Sequence, residues 1–295
     1  MSGAVQVLDD HRLELGEGPG YDPATDTAWW FDIPARRLYT RILSEGQTRR
    51  HDLPFAASAL TITHDGRQLL VAENGLYLRD PASGALTLHL PLEADNPANR
   101  SNDARVHPSG AYWIGTMGRD ALPGAGAWYH YFDGHLRRLW AGITIPNAAC
   151  FAPDGSAAYF TDTPTGRIMR VATDPADGLP AAPPQVFLDG LDGPDGAVTD
   201  AQGNLWVALW GQGRVAGFAP DGQAIGDLTL PAAHTSCPAF IGRDAAQMLV
   251  TSARHGLDRG ALAASPLAGA TFVLPFPGKG RFDPPVRLGD PVVLS

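Results

Sequence analysis

The chain holds one lysine among its 22 basic residues, Lys279; the others are arginines. Schiff-base chemistry therefore has a single candidate amine, and it lies in a Gly/Pro-rich tail. The two cysteines, Cys150 and Cys237, are too few for a disulfide framework. Apolar runs are short, and none approaches the roughly 20 residues that cross a bilayer. Residues 1–7 lack a basic stretch followed by an apolar core, so no signal peptide and no membrane contact is expected. Charge is scarce and one-sided: charged residues are 18% of the 295, and the formal net charge is −9. A surface of that sign repels phosphate backbones and argues against nucleic acid as a partner. Also missing are a G-x-S-x-G elbow, H-E-x-x-H, a phosphate-binding P-loop and C-x-x-C. Nine histidines are scattered with no tight pair, so a three-histidine zinc site has no support. A cytoplasmic protein is the expectation; the oligomeric state is not legible.

Long amphipathic helical patterns are almost absent. The 34 glycines and 26 prolines are spread along the chain, which implies many turns rather than one low-complexity tail. One unit recurs: a polar turn such as "HPSG", "APDG" or "DAQG", then an alternating apolar strand, then another turn and strand. The strand centres fall near Trp30, Leu70, Trp113, Tyr159, Trp206 and Leu249, separated by 40, 43, 46, 47 and 43 residues. A period of about 40–45 residues with several strands per unit marks β-propeller blades. Six copies predict an all-β, six-bladed β-propeller, read as a single domain over 1–295 because no linker divides it. Two β-sandwiches would not keep one period along the whole chain. Residues 5–9 and 285–288 both look like strands, and the N-terminal one is expected to complete the last blade.

In a propeller, loops at one end of each blade converge on the axis, so polar residues at one repeat position can meet. Four places qualify: Glu17 in "LGEGPGY", Arg100, Asn102 and Asp103 in "NRSNDARVHPSG", Asn147 in "ITIPNAACFAPDG", and Asp195 in "LDGPDGAVTDAQG". Singly, Asp and Asn beside glycine serve turns. What sets Asn102, Asn147 and Asp195 apart is their shared phase in three consecutive units. One Glu, one Asp and up to two amides make an all-oxygen donor set suited to Ca²⁺, Mg²⁺, Mn²⁺ or a similar divalent ion.

On these residues the sequence resembles the SMP-30/gluconolactonase family, the regucalcin-like sugar lactonases. The matching features are "LGEGP", "R-x-N-D" followed by "G-x-Y-W-x-G-T-M", "I-x-N" before "APDG", "PDG" followed by "G-N-L-W-V-A", and "VTSAR". The resemblance implies a propeller with one divalent metal in its channel, whether Ca, Zn, Mn, Mg or Fe. It implies Glu17, Asn147 and Asp195 as metal ligands and Arg100 and Asn102 as the substrate-binding pair. Asp120, in "GTMGRD", stands where some members carry a longer glutamate, and is the third substrate contact. Asp103 reads as a support or near-metal residue.

The implied reaction is hydrolysis of a sugar (aldono)lactone such as xylono-, arabinono-, galactono- or gluconolactone. The metal would polarise the carbonyl, and Asp195 would take the proton of water. An ordinary aspartate, with a pKa of about 3.9, is a weak base, so hydroxide on the ion is the rival nucleophile. Competing functions on the same architecture are a paraoxonase-like esterase or phosphotriesterase and a non-catalytic calcium-binding propeller. A strictosidine-synthase-like enzyme is disfavoured by the carboxylate-plus-amide set.

Overall fold

Each polar turn reverses the chain, and alternating apolar residues give each reversal a buried face, so every forty-odd residues closes into an antiparallel meander. A computed structural model describes residues 4–291; the first three and last four residues of the expected 1–295 domain lie outside the described residues. The chain opens with β1 (Gln6–Asp9). The first blade is β2 (Gly16–Asp22), β3 (Thr27–Asp32), β4 (Arg37–Ile42) and β5 (Gln47–Asp52). The second is β6 (Ala57–Ile62), β7 (Gln68–Ala72), β8 (Gly75–Arg79) and β9 (Leu86–Pro91). The third is β10 (Asn99–Val106), β11 (Tyr112–Gly118), β12 (Gly126–Phe132) and β13 (His135–Ile143). The fourth is β14 (Pro146–Phe151), β15 (Ala157–Asp162), β16 (Arg167–Ala172) and β17 (Gln185–Leu188). The fifth is β18 (Pro194–Thr199), β19 (Leu205–Leu209), β20 (Arg214–Phe218) and β21 (Ala224–Thr229). The sixth is β22 (Thr235–Ile241), β23 (Gln247–Ser252) and β24 (Thr271–Pro275), joined by β1. One short helix, α1 (Arg259–Ala264), interrupts the last blade, its N-terminus capped by Asp258. The fold is the expected all-β, six-bladed β-propeller, and all six strand centres read from the sequence lie in the second strand of their blades.

The expectation for the ends is half met. β1 pairs with β24, Gln6 opposite Val273, and is the outermost strand of the sixth blade. The stretch 285–288 is not a strand. It makes one parallel bridge, Val286 with Thr63. Pro284 and Pro285 have no N–H to give to a ladder. The tail instead straps turns of two blades, with Val286 N donating to Ile62 O (2.8 Å) and Arg287 N to Gly110 O (2.8 Å).

The chain packs as two units. One contains residues up to 54 and 190–282; the other contains 55–189 and the residues from 283 on. In the first unit β22 packs against both β2 and β18. Its cores gather Trp206, Phe240, Met248, Phe272 and Phe276 in one cluster, and Leu13, Trp30, Tyr39 and Leu249 in another. In the second unit β10 packs against β6 and β14. There Trp113, Trp128, Phe151 and Phe160 fill one core, and Leu69, Tyr112, Tyr131 and Val286 another. Among the described residues no helix is long and apolar enough to cross a membrane.

Three histidines are tied into this packing as neutral rings. His89 Nε2 meets the Tyr131 hydroxyl at 2.8 Å, His130 Nε2 meets Asp177 O at 2.7 Å, and His234 Nδ1 meets His255 O at 3.0 Å. Burial holds all three below the usual histidine pKa. Below about pH 6.5 the unfolded chain takes protons at these sites that the folded chain refuses, so stability falls as pH falls. The thermal midpoint is expected to drop between pH 7.5 and pH 5.5, and to drop less in His130→Gln; equal midpoints at the two pH values would contradict the assignment.

Candidate active site

The six innermost strands share one irregularity. In each, the pairing with the second strand slips by one residue: between Glu17 and Gly20, Ala57 and Ala59, Ser101 and Ala104, Asn147 and Cys150, Pro194 and Ala197, and Thr235 and Pro238. An inserted residue lifts its neighbours out of the ladder and re-aims their side chains. The residues singled out by phase sit at this bulge. Asn102 stands five residues ahead of His107, Asn147 five ahead of Ala152, and Asp195 five ahead of Asp200, and each of those residues opens the following turn. The same count reaches Glu17 from Asp22, Ser58 from Thr63 and Cys237 from Gly242. The sequence reading missed Ser58 and Cys237, because a serine and a cysteine did not belong to the search for carboxylates and amides. Counting back from every turn would have found both.

In the first unit, Glu17 lies on β2 and Asp195 on β18, exposed to 9% and 5%. Glu17 Oε2 accepts from Gly18 N at 3.1 Å. Gly18 has φ 53°, in the left-handed region where glycine carries no Cβ penalty. Gly196, beside Asp195, is also required by space: a Cβ there would lie 2.3 Å from Cys237 Sγ and 2.6 Å from its Cβ.

In the second unit the structure brings Arg100, Asn102 and Asn147 into one hydrogen-bonded chain. Arg100 Nη1 donates to Ser101 O (2.8 Å) and to Asn102 Oδ1 (2.7 Å). Asn102 Nδ2 donates to Pro146 O and to Asn147 Oδ1, each at 2.9 Å. Asn147 Nδ2 donates to Thr163 Oγ1 at 2.9 Å. Asn147 is only 4% exposed, so these partners are what make its burial tolerable. Asp103 has a supporting role. Its Oδ2 accepts from Ala149 N at 2.8 Å, pinning the bulge of β14 where Ala148 takes φ 58°. Burial raises its carboxyl above the usual aspartate range, and Arg105 pulls the other way. Asp120 is exposed, two residues past Gly118, which pairs with Asn99 beside Arg100. It therefore lies at the same end of the third blade as Arg100, outside the hydrogen-bonded chain. Among the described residues no three His, Cys, Asp or Glu side chains cluster as a metal site; the donor set read from the sequence has two carboxylates, and its third member is an amide.

The fold is that of the six-bladed β-propellers, with buried carboxylates and amides at its bulges. Residues 15–254 match the family described as SMP-30/Gluconolactonase/LRE-like region, and the chain belongs to that family. A Rhizobium meliloti strain 1021 protein, provisionally named a sugar lactone lactonase, is 48% identical over 96% of this chain and 97% of its own. An L-arabinolactonase of Azospirillum brasilense is 34% identical over 92% of each chain. The crystal structure of a calcium-binding protein, regucalcin, from Agrobacterium tumefaciens strain C58 superposes with a TM-score of 0.95 at 51% identity, covering 97% of this chain and 98% of that one.

The close approach at Gly196 makes a direct prediction. Gly196→Ala forces β18 off β22 and is expected to cost about 1–3 kcal/mol of unfolding free energy. Denaturant unfolding measures it; an unchanged midpoint would mean that the strands do not meet there.

Proposed function

We propose that this chain hydrolyses a sugar lactone to its aldonic acid, with one divalent cation held by Glu17, Asn147 and Asp195. The names of its relatives, sugar lactone lactonase and L-arabinolactonase, support the enzyme class and the substrate class. The calcium-binding relative of known structure supports a cation. The donor chemistry fits one: two carboxylates offset a doubly positive charge, an amide oxygen adds a third hard ligand, and all three side chains are buried. Ca, Mg, Mn, Zn and Fe all accept such oxygens. The observation that carries the reading is the chain from Arg100 through Asn102 to Asn147, which joins the proposed substrate pair to a proposed ligand by hydrogen bonds of 2.7 and 2.9 Å. On this reading residues 1–295 act as one propeller domain. The two cysteines are buried and outside any disulfide, which fits a reducing cytoplasm.

When bound, the cation supplies Lewis-acid polarisation of the lactone carbonyl and stabilises its developing negative charge. Asp195 takes a proton from the attacking water as the oxygen–carbon bond forms. It returns that proton to the ring oxygen as the acyl–oxygen bond breaks, so the enzyme ends in its starting protonation state. Arg100 presents its guanidinium to ring hydroxyls, steadied through Nη1 by Ser101 O and Asn102 Oδ1. Asn102 has committed both N–H groups to Pro146 and Asn147, so it offers substrate an acceptor through its oxygen. Asp120, exposed at the same blade end, accepts from an outer sugar hydroxyl.

Metal-stripped protein refilled with each cation in turn should hydrolyse pentono- and hexonolactones and leave organophosphates intact. Preferred turnover of organophosphates would replace this reading with a phosphotriesterase. Asp195→Ala and Asn147→Ala should each abolish cation-dependent hydrolysis with the far-ultraviolet spectrum unchanged, and near-normal turnover in either would remove that residue from the mechanism. Arg100→Ala should raise KM across the lactone panel by roughly tenfold or more, with a smaller effect on kcat.

A further inference from the structure

We infer that Thr163 is a positioning residue that anchors the nitrogen end of the Asn147 amide and so holds its oxygen end toward the cation; the inference rests on the reading of Asn147 as a ligand. An asparagine side chain presents an acceptor at one end and two donors at the other, and only the oxygen can bind a cation. The direction of the amide is therefore as important to a ligand as its place.

The hydrogen-bonded chain of the second unit has only one consistent polarity. It begins at Arg100, whose guanidinium is donor-only. The atom of Asn102 that meets Arg100 Nη1 at 2.7 Å must be its oxygen. The nitrogen of Asn102 then faces Pro146 O and Asn147, so the atom of Asn147 that meets it is again an oxygen. The nitrogen of Asn147 must point the other way, and it needs an acceptor there. Thr163 Oγ1 is that acceptor, at 2.9 Å. A flipped Asn147 would set two amino groups against each other at Asn102 and offer N–H, not oxygen, to a cation. With Arg100 at the head and Thr163 at the tail, Asn147 Oδ1 keeps a second lone pair for an ion.

Thr163 is itself held firmly. It follows directly on β15 and opens a 3-10 turn whose next residue is Pro164. Its N–H donates to Ile145 O at 3.0 Å, and the Asp162 carboxylate takes the N–H groups of Thr144 (3.0 Å) and Ile145 (2.8 Å). The chain leading into Asn147 is thus lashed to the residues around Thr163. The second and third blades have the same exit, with Glu73 N donating to Ala56 O and Arg119 N to Ala98 O. There the side chains of Glu73 and Arg119 pair with each other across blades. In the fourth blade the exit side chain turns to the strand-borne amide.

Calorimetric titration of Ca²⁺ and Mn²⁺ into metal-stripped protein tests this without recourse to turnover. Thr163→Val should weaken cation binding by about tenfold or more, and Thr163→Ser, which keeps the hydroxyl, should restore affinity close to wild type. Thr163→Ala serves if the valine variant does not fold, with the same expected loss. Wild-type affinity in Thr163→Val or Thr163→Ala, or a loss not rescued by serine, overturns the inference. Asn147→Ala separates this from the parent reading: if it loses cation binding while Thr163→Val keeps it, only the role of Thr163 falls. If Asn147→Ala binds cation as wild type does, or wild type binds none, both fall.

Discussion

A one-residue bulge in the innermost strand of every blade is the constraint from which the site follows. A regular ladder would spend the polar groups of these residues on its own hydrogen bonds and alternate their side chains between two sheet faces. The bulge interrupts both effects a few residues before the turn. The backbone then needs outside support, and the neighbouring blade supplies it. Asp103 takes the N–H of Ala149 in the next inner strand, and Ser58 Oγ donates to Ser101 Oγ at 2.8 Å. Gly196 is small enough to let Cys237 approach. Packing between blades and the shape of the bulges are thus one problem, solved residue by residue.

Polarity is the second constraint. A buried amide can be inserted either way round, and the two ways are chemically opposite at a ligand site. Here a donor-only guanidinium on Asn102 Oδ1 and the acceptor-only Pro146 carbonyl on its Nδ2 leave a single arrangement for the two asparagines, and the Thr163 hydroxyl oxygen receives the nitrogen at the far end. The same arrangement links the proposed substrate pair to the proposed ligand. Loss of any member leaves a buried polar atom without its partner, which costs more than the hydrogen bond itself contributes.

The architecture was legible because it is periodic. Trp30, Leu70, Trp113, Tyr159, Trp206 and Leu249 mark the second strands of their blades, and the turn sequences locate the inner strands that precede them. The shared phase of Asn102, Asn147 and Asp195 was legible for the same reason. What could not be read was anything set by side-chain contacts between residues distant in sequence, within a blade or across blades. Thr163 lies 16 residues from the amide it receives, and Asp103 lies 46 from the N–H it accepts; neither spacing has a sequence signature. The stretch 285–288 misled because Val286 and Leu288 have the apolar alternation of a strand, whereas Pro284 and Pro285 decide its hydrogen bonding. Ser58 and Cys237 went unnoticed because chemistry was sought before position.

The most direct test of the cation assignment is anomalous diffraction from crystals of the chain loaded with Mn²⁺. The prediction is one ion with oxygens of Glu17, Asn147 and Asp195 in its coordination sphere, at about 2.0–2.6 Å, and with Asn147 Nδ2 still directed at Thr163. An ion bound away from these three residues, or an Asn147 amide turned with its nitrogen toward the ion, would contradict it.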